Sequence, residues 1–525
     1  MKQTSILKKL GCFLLCFACT ASVASCGTGN GNGGGNNSAG GKPSGSISVI
    51  CYEAGFGTEW LDEMAEEFSS ALGVTVKVKK SYVNGELISL LSDNSLNDDV
   101  VMAVGSMFGP QDSGFLTDLS PVYNSVPEGE TKAIKERVNP KIYNKLLTED
   151  GKIYQMNWAD PVCGIVINKT VLDRIFPDGY EIPNTTDELI EFCDEIKAEG
   201  VYPFSISTSI SYWDYLHWVW WAQYEGYDNY IDYYWGYYQK EQPDGTTVRT
   251  LAENGEVLDM PGRLESVKVA ERLLKKENGY MHKYADSMTW QEAQIAFVGQ
   301  GYAGQDMTES AMMVNGQWLE NEVQSYLLTK PQDLAMIKTP VISSIVKTLE
   351  NKSMTDETLS AVIDAIDKGE TSYPGVSEKD FARISEARHM VYSATFDHCC
   401  AIPAKSKNKP LAMEFLKFMA SDMGQSIYAK YLNGLTMPYG YDVGDNVTDF
   451  VRSRYENFSD YIPICIDFSS PLVYRQGLTA YTTGNGAGLD GVLYKGNTAE
   501  WVINDTKTTL MASWDKIILA AKQEK

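Results

Sequence analysis

The spacing of apolar side chains changes period repeatedly at the start of the folded part of the chain. Residues 46–53, SISVICYE, alternate apolar and polar positions in the two-residue repeat of a strand. Over 58–72, TEWLDEMAEEFSSAL, the residues Trp60, Leu61, Met64, Ala65 and Phe68 recur at helical spacing. VTVKVKKSYV returns to a strand, GELISLLSDN to a helix and DDVVMAVGS to a strand. Strands alternating with helices build a parallel sheet covered on both faces, so an α/β fold is expected, with ligands beyond the carboxyl ends of the strands. Those ends are residues 53–56, with Glu53 foremost, and 106–108.

The middle of the chain continues this pattern. GKIYQMNWADPVCGIVINKTVLDRI, residues 151–175, predicts a turn, a strand, a loop carrying Trp158 and Asp160, a second strand and a helix start. Thr186 is placed as the N-cap of the next helix, which Asp187 and Glu188 open and Gly200 closes. Residues 211–238 are dense in Trp and Tyr. Trp213, Trp220, Trp221 and Tyr224 share one helical face, a pattern that fits a helix packed into a core and also fits an aromatic platform for an oligosaccharide. Trp213, which opens the segment, is the member retained as a binding candidate.

Upstream of all this, Lys2, Lys8 and Lys9 precede an apolar run from Gly11 to Ala18. A bilayer-spanning helix needs about 20 apolar residues, and this run is broken by Thr20, Ser22 and Ser25, so residues 1–25 are expected to be a cleaved secretory signal. Val23-Ala24-Ser25-Cys26 resembles a bacterial lipobox, which makes Cys26 the lipid anchor. The Gly/Asn/Ser tract at 26–45 cannot bury a core and serves as a flexible tether. The full chain has 525 residues, more than one hydrophobic core supports, and its net charge is −24. Such a field repels nucleic acid and anionic headgroups, leaving the lipid to hold the protein at the extracellular face of a Gram-positive-type cell membrane.

After Cys12, Cys16, Cys19 and Cys26 are set aside, six cysteines remain, most of them in apolar runs, with no CxxC pair. Neither a metal nor any other cofactor is called for. No GxSxG, P-loop or HExxH is present, so binding rather than catalysis is expected. A surface glycoside hydrolase is the alternative from another class, needing only two well-placed acids, and a sensor subunit for another small polar solute is a third.

Three ordered blocks carry a resemblance. Gly151, Lys152, Tyr154, Asn168, Lys169, Pro183, Thr186, Glu188, Leu189, Gly200, Pro203 and Phe204 fill the first. Phe297, Ala311, Met312, Gly316 and Trp318 fill the second, and HCCAIPAKSKNKPLAMEFLKFMASDMGQSIYAKYLNGLTMPY fills the third. Together they resemble the extracellular solute-binding protein family 1 of ABC importers, carbohydrate type. Two departures stand out: Asn157 replaces the usual proline before Trp158, and Asp187 replaces the usual Trp after Thr186.

The resemblance implies a two-lobed, type II periplasmic-binding-protein-like fold. Residues 46–160 and 341–425 would form one lobe, and 161–340 and 426–525 the other. The chain would pass between lobes near 158–161, again near 337–341 and once more near 420–435. It implies a monomer that closes on a carbohydrate and presents it to ABC permease subunits. Trp318, in NGQW, is the foremost stacking candidate, with a core tryptophan as the alternative. Trp158 and Asp160 at the first passage follow it, then the carboxylates Glu53 and Asp397, and Tyr474 with Arg475 in a C-terminal loop. Ser106 and Met107 stand where related sugar binders place an aromatic and a charged residue.

Overall fold

The computed structural model describes residues 45–53, 55–83, 85–299, 309–483 and 488–523. The expected signal, the Cys26 anchor and all but the last residue of the tether lie outside them. Among the described residues no helix is long and apolar enough to cross a membrane.

Thirteen strands are described, in two main sheets and a hairpin. In chain order they are β1 (Ser46–Tyr52), β2 (Thr75–Ser81), β3 (Val100–Val104), β4 (Met156–Asn157), β5 (Val162–Asn168), β6 (Tyr202–Ser205), β7 (Tyr237–Glu241), β8 (Thr247–Leu251), β9 (Ser310–Gly316), β10 (Leu334–Met336), β11 (Met390–Ser393), β12 (His398–Ala401) and β13 (Ile462–Ile464). The first sheet has the order β2-β1-β3-β12-β4 and the second β13-β11-β5-β9-β6, with β10 also paired to β5; β7 and β8 pair only with each other. This is the expected two-lobed α/β fold.

The alternation read along residues 46–104 appears as strands β1, β2 and β3 separated by the helices Glu59–Leu72 and Glu86–Ser92. Trp60, Leu61, Met64, Ala65 and Phe68 are the buried face of the first helix. Two details differ from expectation. β12 joins β3 antiparallel, so the sheet is mixed and not parallel throughout. The helix Thr186–Ala198 is capped by Thr185, not Thr186: the Thr185 hydroxyl accepts from the Glu188 amide at 3.2 Å while the Glu188 carboxylate accepts from the Thr185 amide at 3.3 Å. Glu188 sets the register of this reciprocal cap, and the threonine three residues earlier takes it.

The strand pairings also fix where the chain changes sheet. It leaves the first sheet at β4 and enters the second at β5 over residues 158–161, then returns over 394–397 between β11 and β12. Residues 337–341, read from sequence as a passage, stay with the second sheet instead. The Ile337 amide donates to the Ile165 carbonyl at 3.0 Å, and Val341 bridges Thr185. β10 pairs antiparallel with β5, and the proline-containing segment after it runs along the same lobe. The last change follows the helix Asp422–Tyr431, because the next helix, Asp449–Asn457, packs on β10 of the second sheet.

Among the described residues six cysteines are free and buried: Cys51, Cys163, Cys193, Cys399, Cys400 and Cys465. Most of the dense aromatic run is core. Trp220, Trp221, Tyr230, Tyr233 and Tyr234 are fully buried.

Candidate functional site

Where the carboxyl end of β1 meets the segment after β9, the two sheets approach through aromatic rings. Phe56, just beyond β1, meets Trp318 edge-on at 6.0 Å and His398 at 5.5 Å. Trp318 leads into the short helix Leu319–Glu322, and two further rings, Tyr212 at 6.5 Å and Tyr215 at 6.4 Å, stand edge-on to it. From there a run of stacked rings extends along the second lobe: Tyr212 on Tyr215 at 5.5 Å, Tyr215 on Tyr392 at 4.7 Å, and Tyr392 on Trp218 at 5.3 Å.

The junction is closed. Asn321 Nδ2 donates to the Gly55 carbonyl at 2.7 Å. A Cβ at Gly55 would stand 2.7 Å from Glu322 Oε1 and 2.9 Å from Trp318 Cβ, so only glycine permits this approach. Gly55→Val is therefore expected to hold the lobes apart, raising the radius of gyration in solution scattering and weakening ligand binding tenfold or more at unchanged helix content; a closed Gly55→Val protein with full affinity contradicts this. A cavity of about 370 Å³ lies elsewhere, lined by residues including Thr348, Leu349, Asp380 and Arg383, and none of these aromatics borders it.

Two acids flank the rings. Glu322 has Gln294 Nε2 at 2.6 Å, and burial pushes its carboxyl up to about 7 against that hydrogen bond. Asp397, at the second passage, accepts from Tyr392 Oη at 3.5 Å, and burial pushes it likewise up to about 7. His398 Nδ1 is 2.8 Å from the Ala394 carbonyl, while burial pulls the imidazole down to about 4 and keeps it neutral. Glu53, beyond β1, accepts from Thr58 Oγ1 at 3.2 Å and has Lys80 at 3.8 Å.

The remaining sequence candidates fall into three places. Trp158 is fully buried beneath Phe56: its Nε1 donates to the Ala103 carbonyl at 3.1 Å and its ring stacks on Trp60 at 6.1 Å. Trp213 is also fully buried and turns the other way, its ring against Phe204 at 5.0 Å and its amide to Asp490 at 3.3 Å. Neither ring is brought to the junction surface. Asp160 is taken up by the chain itself: Oδ1 accepts from Thr395 Oγ1 at 2.6 Å and Tyr461 Oη at 2.9 Å, and Oδ2 from Arg454 Nη2 at 2.8 Å. Arg475 reaches across to Asp112, donating through Nε at 3.0 Å and also through Nη2, and holds that carboxyl below its usual range. Tyr474 is half-buried beside it, and Met107 is buried in a cluster with Leu87, Leu91 and Leu116. Phe56, Tyr212, Tyr215, Tyr392 and Glu322 were not singled out from sequence, although Phe56 lies in the strand end that was.

A family model described as bacterial extracellular solute-binding protein matches residues 63–450. No curated protein matches the chain. Among solved structures, one described as SBP RafE in complex with raffinose is similar over 90% of this chain and 99% of its own, at 17% identity and a TM-score of 0.57. A chitin oligosaccharide binding protein is similar over 91% of this chain and 100% of its own, at 17% identity and 0.59. The GacH receptor of Streptomyces glaucescens GLA.O is similar over 91% and 99%, at 15% identity and 0.54.

Proposed function

The chain belongs to the bacterial extracellular solute-binding proteins, and from that membership we propose that it is the carbohydrate-binding subunit of an ABC importer, lipid-anchored through Cys26. The aromatic junction between the two sheets carries the proposal. Sugars offer apolar C–H faces and hydroxyl edges, and here rings stand beside acids whose oxygens are only partly used. The structurally similar proteins include ones described with raffinose, a chitin oligosaccharide and acarbose, which supports the same ligand class.

In this scheme the lobes open, a sugar lays one face on Trp318, and hydroxyls reach Glu53, Glu322 and Asp397. Closure then expels water, so each hydroxyl left without a partner costs about 1–3 kcal/mol and the fit becomes selective. The Asn321–Gly55 hydrogen bond and the Arg475–Asp112 pair fasten the closed form. The second is exposed, worth no more than about 1 kcal/mol, and so can release. Opening at a permease would deliver the ligand with no bond made or broken, and no cofactor is required.

A thermal-shift screen against an oligosaccharide panel, with product analysis of each mixture, tests the reading. A shift of several degrees without turnover supports it, whereas released products or a complete lack of response contradict it. The anchor is tested separately. Cys26→Ala is expected to move the protein from the membrane fraction into the medium, and unchanged membrane retention removes Cys26 as the attachment point.

A further inference from the structure

The charges around the junction are lopsided. Glu322 and Asp397 flank the ring cluster, and among the described residues neither has an ion-pair partner; their side chains are hydrogen-bonded to the Gln294 amide and the Tyr392 hydroxyl. Glu53 adds a third acid at the rim of the first lobe. The cations nearby are all engaged. Lys80 lies 3.8 Å from both Glu53 and Asp62, Arg454 is held on Asp160, and Arg475 on Asp112. Lys145 is turned onto Cys465 Sγ at 3.5 Å and the rings of Tyr227 and Phe396. The one imidazole in the cluster, His398, is neutral.

We infer that this cleft discriminates by charge, admitting uncharged or amine-bearing glycans and rejecting those that carry carboxylate, sulfate or phosphate. The inference rests on the carbohydrate reading above and adds a selectivity to it. An anionic substituent would be desolvated beside Glu322 and Asp397 with no guanidinium or ammonium free to receive it, and burying an unpaired charge is costly. A hydroxyl or an ammonium group meets acceptors instead. The effect is local rather than a consequence of net charge, because salt at physiological strength screens distant charges beyond about 8 Å while leaving buried neighbours in force.

The test is calorimetry of the detergent-solubilised full chain at pH 8, where both buried carboxyls are ionised, against length-matched neutral, glucosamine and uronate oligosaccharides. The uronate of each matched set is expected to bind at least tenfold more weakly than its neutral counterpart, and Glu322→Gln with Asp397→Asn to narrow that ratio severalfold. A uronate bound as tightly as its neutral match overturns the selectivity while leaving the carbohydrate reading in place. A ratio unmoved in the folded double variant overturns the assignment to these two acids, and if that variant does not fold, the wild-type ratio alone decides. Failure of every sugar to bind brings down the carbohydrate reading and this inference together.

Discussion

Trp318→Ala is expected to weaken binding of the sugar found by the screen tenfold or more, about 1.4 kcal/mol or beyond, in a protein that still folds. Two losses add. The ligand loses the ring its apolar face would lie on, and the closed form loses the edge-on contact between Trp318 and Phe56 across the junction. Trp318 is 8% exposed, so truncation also removes packing and lowers the melting temperature. Trp318→Phe separates these contributions, since it keeps an aromatic face and part of the volume, and should recover most of the affinity. Calorimetric affinity unchanged in Trp318→Ala, measured on the folded protein, takes Trp318 out of the binding site and leaves it a core residue.

Much of this arrangement can be read from the chain, and the exceptions share a cause. Period alternation locates β1, β2 and the helix between them because each buries one face only, and that face is what the apolar positions mark, while β3 shows as a continuous apolar run because it is buried on both faces. NGQW leads to Trp318. Helical periodicity gives a face but not its direction: Trp213 faces Phe204 in the interior, while Tyr212 and Tyr215 on either side of it face Trp318. Choosing Trp213 because it opens the segment turns the prediction inward. The second change of sheet is misplaced for a similar reason. A proline-containing stretch after a short strand looks like a hinge, but pairing between distant strands decides which sheet it serves, and β10 on β5 is such a pairing. Of the two acids that flank the rings, Asp397 stands among the sequence candidates, whereas Glu322 is invisible to local pattern, because its burial beside a glycine some 270 positions earlier is an approach that only the folded chain displays.

Asp160 gives the second large effect, on the fold and its hinge instead of the ligand. Its carboxylate lies at the first passage between sheets, Thr395 at the second, and Arg454 and Tyr461 in the segment reached after the third. One side chain therefore ties the first two passages to the segment that the chain enters after the third. The ion pair is nearly enclosed, with side-chain exposures of 12% for Arg454 and 13% for Asp160. Removing one member of such a pair strands the other, so Asp160→Ala is expected to destabilise the protein by about 3–5 kcal/mol in chemical denaturation. Asp160→Asn keeps the shape and one acceptor but not the charge and should fall between. Pairing Asp160→Ala with Arg454→Met removes both charges, and the double variant should recover part of the loss, a coupling that a double-mutant cycle reads directly. If Asp160→Ala costs less than about 1 kcal/mol, or the cycle shows no coupling, the carboxylate does not fasten the hinge, and its availability to a ligand returns to consideration.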